Sequence, residues 1–255
     1  MLWIHGGGYL GGGGCEDGTD GSHLAAMGVT VVSCNYRLGA FGYLAHRQLG
    51  SNFGLQDQIQ VLRWVRDNIE CFGGDPERVT VFGQSAGGHS VRMLLISQEA
   101  SALFHRAILQ SGGAERPAFD TSGNEKTYEA TEALIAHLGG GRPETLRRVP
   151  TEVIKETSHL FSGVIPKPRR VHKPANLTWM PVYDGVILPA DGDSHPFAAV
   201  PILLGFTHNE ARYFIRPGTL PESRMILRAV TKALAGVQAR SVRAQLNAEP
   251  GAMYD

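Results

Sequence analysis

The stretch that decides the fold is VTVFGQSAGGHSVRMLLIS, residues 79–97. Val79 to Phe82 is a short, apolar, β-branched run of the kind a buried strand uses. Gly83-Gln84-Ser85-Ala86-Gly87 interrupts it, and Ala86 to Ser97 then continues without a breaker beyond the first turn, which predicts a helix. A serine on so tight a strand-to-helix turn projects its hydroxyl out of a sheet, and the flanking glycines remove side chains that would crowd it. The start of the helix also favours negative charge nearby. Ser85 is therefore a candidate nucleophile, set against the alternative of an ordinary glycine-rich turn.

Working outward, Leu2 to Ile4 and Val29 to Tyr36 read as buried strands, each beside glycine. From Leu55, apolar residues recur at Ile59, Leu62, Val65 and Ile69 until Gly73, Gly74 and Pro76 stop the pattern, which is an amphipathic helix with a defined end. Arg106 to Gln110 is a further strand, Lys126 to Leu138 has helical periodicity, and Glu144 to Leu160 divides into two short helices at Pro150. Pro166 to Pro174 reads as an exposed basic loop, Pro201 to Phe206 as a last buried strand, and Glu222 to Leu246 as a long helix with a solvated basic face. Trp3 and Trp64 read as core. Strands alternating with helices, with no internal repeat and no compositional linker, predict one α/β domain over residues 1–255 with a mostly parallel sheet.

Composition narrows the function classes. Of 255 residues, 24 are Lys or Arg and 24 are Asp or Glu, so the formal net charge is zero and a general nucleic-acid binder is not expected. At 42% hydrophobic and 19% charged, the chain is globular rather than disordered. The run Ala25 to Cys34 is too short to span a bilayer, and no charged leader with an apolar core opens the sequence, so a soluble chain without a membrane partner is expected. Cys15, Cys34 and Cys71 leave at least one cysteine unpaired and show no metal-ligand spacing, which favours a reducing, cytoplasmic compartment. Glycine is the anomaly: of 32, 19 fall in the first 90 residues, a density that marks unusual backbone and a candidate site.

His5-Gly6-Gly7-Gly8-Tyr9 is the second chemical signal, again at a strand end. Acyl transfer passes through a tetrahedral oxyanion that needs preorganised N–H donors, and a glycine run lets several amides point one way. Gly7 and Gly8, with the amide of Ala86, would form that oxyanion hole. Gly11 to Gly14 reads as a flexible loop. Neither GxGxxG nor the glycine-lysine pair of a phosphate loop occurs, so a nucleotide site is not expected. No cofactor or metal is expected either, because serine ester hydrolysis needs none.

These residues resemble the type-B carboxylesterase and cholinesterase-like branch of the α/β hydrolases. Asn35-Tyr36-Arg37-Leu38-Gly39 with Phe41-Gly42-Tyr43-Leu44 is similar to the block after the family's oxyanion loop. The segment from Gly54-Leu55-Gln56-Asp57-Gln58 through Trp64-Val65, Asn68-Ile69 and Phe72-Gly73-Gly74-Asp75-Pro76 into Ser85 is similar as well, as is Ala107-Ile108-Leu109-Gln110-Ser111-Gly112. Pro181-Val182-Tyr183-Asp184-Gly185, Pro201 to Gly205 and Asn209-Glu210 resemble the segments leading to the family's triad acid. The likeness is dense to Gly112, sparse in the middle, and clear again from Met180 to Phe214.

What the resemblance implies is an α/β-hydrolase fold, with a mostly parallel central sheet flanked by helices, incomplete at both ends. It implies a serine carboxylesterase acting on a small-molecule ester, with Ser85 as nucleophile and Glu210 as the acid that orients a histidine. Asp184 is the runner-up acid, and the family makes it a structural residue of its turn. The catalytic histidine is not found: it should follow Glu210, and no histidine follows His208. His208 is tethered too close to Glu210, His89 lies on the nucleophile helix, and His5 suits a backbone-orienting role. Gln84 stands where many members carry glutamate, which points to a neutral rather than a cationic ester. The alternative is a catalytically impaired fragment or a non-catalytic binding relative. Acyl and alcohol specificity and the oligomeric state are not legible.

Overall fold

The computed structural model describes residues 1–112, 125–161, 178–208 and 210. In chain order its regular elements are β1 (Leu2–Ile4), α1 (Ser22–Ala26), β2 (Val32–Cys34), α2 (Gly39–Tyr43), α3 (Phe53–Asn68), β3 (Thr80–Gln84), α4 (Ala86–Ile96), β4 (Arg106–Gln110), α5 (Glu125–Gly139), α6 (Thr151–Ser158) and β5 (Ile202–Gly205). The chain divides into two units. Residues 1–115 with 122–206 hold every one of these elements, while residues 116–121 with 207–255 form the other, of which 207, 208 and 210 are described. The expected helix at Glu222 to Leu246 and the loop at Pro166 to Pro174 lie outside the described residues.

The five strands form one parallel sheet in the order β2-β1-β3-β4-β5. Parallel strands have helices on their faces, so their side chains are apolar on both sides. Leu2, Ile4, Val81, Ala107 and Leu109, which share one face, are buried, and Trp3, Phe82 and Ile108 on the other face are apolar and half-buried. β1 lies between β2 and β3, with Ile4 opposite both Cys34 and Gly83. The winding therefore reverses at β1, and in open parallel sheets the crevice at the carboxyl ends of the strands on either side of such a reversal is where sites form. The loops leaving β1 and β3 are His5-Gly6-Gly7-Gly8 and Ser85.

Helix faces follow the sequence periods. α3 buries Leu55, Gln58, Ile59, Leu62 and Val65, and after a 3₁₀ turn at Ile69–Phe72 the left-handed Gly73 (φ 77) ends the run. α5 buries Thr127, Ala130, Thr131, Leu134 and Ile135, spacings of three and four that keep one stripe inward. α4 is different: every residue from Ala86 to Ile96 is buried, because the helix packs on β1, β3, β4 and α3 at once. Among the described residues no helix is long and apolar enough to cross a membrane, and Cys15, Cys34 and Cys71 are all free thiols.

Three expectations change. Only Val32–Cys34 of the run from Val29 to Tyr36 is strand. β5 forms where expected but is exposed along its whole length, with Leu203 and Leu204 near 60% exposure (64% and 59%), since it is the edge of the sheet among the described residues. Trp64, read as core, is 42% exposed on the outer side of α3 against Phe72.

Candidate active site

β3 carries the chain to the carboxyl edge of the sheet, and Ser85 turns it into α4 with φ 56 and ψ −122. A positive φ on a residue with a Cβ costs energy and persists only where its surroundings over-determine it. Both sides of the turn are held: the Ser85 amide donates to Gln110 O at the end of β4 (2.8 Å), and the Ser85 carbonyl accepts the His89 amide (2.9 Å). Gly83 and Gly87 are required by close approach. A Cβ on Gly83 would lie 2.5 Å from the Gly87 carbonyl carbon and 2.8 Å from Ile4 O, and one on Gly87 would collide with Ile4 O outright. The predicted strand, turn and helix are all present.

The loop after β1 lies alongside. A Cβ on Gly6 would be 2.7 Å from Gln84 O and 3.2 Å from Ser85 Cβ, so the glycine loop and the serine turn are in contact. Gly7, Gly8 and Tyr9 take φ of 107, 63 and 60 in succession. Gly7 O accepts the amides of Leu10 and Gly11 (3.1 and 3.2 Å), which closes the loop into a tight turn. Among the described residues no acceptor is found for the amides of Gly7, Gly8 or Ala86. Ala86 also begins an eleven-residue helix, whose first amides have no intrahelical partner and carry partial positive charge.

His5 is buried and holds the base of the loop. Its ring stacks on Tyr36 (centroids 4.3 Å apart), its Nδ1 lies 2.8 Å from Gly6 O, and Tyr36 donates its hydroxyl to His5 O (2.7 Å). Burial pushes the Tyr36 phenol far above its ordinary value, so the hydroxyl keeps the proton it donates.

The Ser85 side chain is half-buried, and among the described residues its hydroxyl has no hydrogen-bond partner. His89, one turn along α4, is occupied elsewhere: its Nδ1 lies 2.7 Å from the Tyr9 hydroxyl. Glu210 belongs to the other unit, where its Oε1 accepts the Thr207 amide (2.6 Å). Asp184 is built into its turn. Its Oδ1 accepts the amides of Val186, Ile187 and Leu188 at 2.9–3.0 Å, and its Oδ2 accepts the Ser51 hydroxyl (2.6 Å) and Asn52 Nδ2 (2.9 Å). Burial opposes its ionisation, but the Ser51 hydroxyl and those amides together prevail and hold the carboxyl below the ordinary 3.8. Among the described residues no group of three His, Cys, Asp or Glu is placed to hold a metal ion.

Sequence reasoning missed one set of residues. Gln58 Nε2 donates to Ser90 Oγ (3.2 Å), Ser90 donates to the Tyr9 hydroxyl (3.4 Å), and Tyr9 meets His89, all four side chains being buried. The readable signal was Gln58 itself, a polar residue on the inward stripe of α3 between Leu55 and Leu62.

The model of the Carboxylesterase family matches residues 1–244. The chain is 37% identical over 251 residues to para-nitrobenzyl esterase of Bacillus subtilis (strain 168), covering 92% of this chain and 48% of that protein. It is 38% identical over 222 residues to neuroligin-2 of Mus musculus, covering 84% of this chain and 25% of that one. A solved PNB esterase superposes with a TM-score of 0.75 at 35% identity, over 92% of this chain and 51% of the esterase. The chain thus spans about half the length of the esterases it matches.

Proposed function

The chain belongs to the carboxylesterase family, and we propose that it carries the acyl-transfer half of a serine carboxylesterase site acting on a small, neutral ester. Ser85 Oγ attacks the ester carbonyl, and the amides of Gly7, Gly8 and Ala86 receive the oxyanion. The bond from the acyl carbon to the alcohol oxygen breaks and the alcohol leaves with the proton that Ser85 gave up; water then attacks the acyl-serine, the acid leaves and Ser85 regains its proton. Glu210 is proposed as the acid that would orient a histidine base; no histidine follows His208 in the sequence. The substrate is taken to be neutral because Gln84, beside the nucleophile, has no charge for a cation to meet.

The supporting observation is the Ser85 backbone, held at φ 56 between β3 and α4 with the glycine loop against it. Strained conformations at a sheet's carboxyl edge are stored where chemistry uses them. Catalysis without one triad member retains only about 10³–10⁴ of rate enhancement over water, so slow turnover is expected from these 255 residues alone. The test is a short-chain p-nitrophenyl ester given to the wild type and to Ser85→Ala, with a fluorophosphonate label mapped by mass spectrometry. Label on Ser85 and turnover above the Ser85→Ala control are expected. Turnover equal to the control, with no label, sinks the esterase assignment.

That second outcome would favour a non-catalytic binding relative. The observation that favours that reading is an identity to neuroligin-2 as high as that to the esterase.

A further inference from the structure

We propose that Tyr9 and His89 are a positioning pair that sets the glycine loop against the first turn of the nucleophile helix, and so sets the spacing between the two halves of the oxyanion hole. This rests on the assignment of Ser85, Gly7, Gly8 and Ala86 made above.

Gly7 and Gly8 reach positive φ without a Cβ penalty, but Tyr9 follows them at φ 60 and has one. Something must hold it there, and four contacts do. The Tyr9 ring is 1% exposed and meets Tyr43 edge-on (centroids 4.6 Å apart). Its carbonyl accepts the Gly39 amide (2.7 Å). Its hydroxyl lies 2.7 Å from His89 Nδ1 and receives the Ser90 hydroxyl at 3.4 Å. Tyr9 is thus an anchor driven into the core directly after the loop's last glycine.

The far end of the anchor matters as much. His89 sits one turn from Ser85, and its amide makes the hydrogen bond to Ser85 O that begins α4. A bond from Tyr9 to His89 therefore ties the residue after Gly8 to the turn that carries Ser85 and Ala86. Ser90 donates into the Tyr9 oxygen, which leaves the phenol proton to point at His89 Nδ1. Complete burial raises the Tyr9 phenol well above its ordinary value and keeps it a donor. Buried polar chains of this kind favour one geometry through the links they make, here Gln58 to Ser90, Ser90 to Tyr9 and Tyr9 to His89.

A hydroxyl that only filled space could be removed with little effect on chemistry. A hydroxyl that spaces the amides should act on the transition state, because displacing a donor by about 1 Å costs on the order of 10²-fold. Four variants test this: Tyr9→Phe, His89→Leu, His89→Asn, whose Oδ1 replaces Nδ1 as acceptor, and Ser85→Ala as the blank. Folding is followed by circular dichroism and Tm. The oxyanion hole is read by ¹⁹F NMR of the hemiketal formed with a short alkyl trifluoromethyl ketone, and by kcat and KM for p-nitrophenyl acetate.

Tyr9→Phe and His89→Leu should weaken hemiketal formation and lower kcat by about ten- to a hundredfold, with KM within about twofold. His89→Asn should restore most of the loss. A folded Tyr9→Phe with wild-type hemiketal and kcat overturns the positioning role, as does a loss seen in KM alone or a His89→Asn no better than His89→Leu. If Tyr9→Phe fails to fold, the two His89 variants decide. If the wild type forms no hemiketal beyond Ser85→Ala, the proposed site itself is wrong and the positioning role goes with it.

Discussion

Replacing Ser85 by glycine and by alanine separates backbone strain from chemistry. Both variants remove the hydroxyl, so neither should form an acyl-enzyme. They differ in what the backbone at φ 56, ψ −122 demands, because alanine keeps the Cβ that makes this region unfavourable and glycine does not. Holding a Cβ-bearing residue in such a region costs about 1–3 kcal/mol. Glycine recovers that but loses about 0.5–1 kcal/mol more chain entropy on folding. The Ser85 side chain makes no capping hydrogen bond to α4, so neither variant gives up a cap. Ser85→Gly should therefore be more stable than Ser85→Ala by about 1 kcal/mol, within a range of about 0–2.5. In a chain of this length that is a Tm difference of about 2–4 °C. Urea titration at matched m-values measures it directly, since a shift in midpoint at constant slope is a change in stability. If Ser85→Gly is the less stable of the two by more than about 0.5 kcal/mol, the turn is not strained and the reasoning from its backbone fails.

Other substitutions test the packing around the site. Gly87→Ala puts a Cβ against Ile4 O and should cost about 1–3 kcal/mol while lowering hemiketal formation at Ser85, read by urea titration and ¹⁹F NMR on the same samples. Leu94→Ala, at a fully buried position of α4, should cost about 2–5 kcal/mol in urea without changing which residue a fluorophosphonate labels. The Asp184 turn predicts a pH dependence. Its folded carboxyl titrates below the unfolded 3.8, so its stabilisation is fully present above pH 3.8 and is lost as pH falls through the lower folded value. Unfolding midpoints taken from pH 5 downward should fall more steeply in the wild type than in Asp184→Asn, which cannot titrate; parallel curves would show that Asp184 contributes nothing to acid lability.

Local patterns carried much of this far. The strands at Leu2, Val79 and Arg106, and the helices at Leu55, Ala86 and Lys126, each declare themselves within a window of a few turns, and all but the helix at Ala86 end near their own glycines. Position in the sheet does not. Pro201 to Phe206 and Val79 to Phe82 are both short apolar runs, yet β3 is central and β5 lies at the edge with Leu203 and Leu204 exposed. Hydrophobicity reports what a strand can bury; its neighbours decide what it does bury. Trp64 shows the same on a helix, since one residue's rotation about α3 separates the buried Val65 from an exposed indole.

At the candidate site the division is similar. Ser85, Gly7, Gly8 and Ala86 could be named from the sequence because each belongs to a contiguous motif whose chemistry depends on its own local backbone. Tyr9 and His89 could not be paired, because nothing local distinguishes a tyrosine after a glycine run or a histidine inside a buried helix.

The sequence by itself determined that a serine turns a strand into a helix and that a glycine loop leaves another strand, since both are consequences of dihedral preferences and hydrophobic period. Only the tertiary structure decided that they meet. β1 inserts between β2 and β3, and the register that sets Ile4 opposite Gly83 brings Gly6 against Ser85. That register is a choice among pairings of distant segments, made by the burial of the face that carries Leu2, Ile4, Val81 and Leu109 and by the hydrogen bonds between strands, and no periodicity along the chain encodes it.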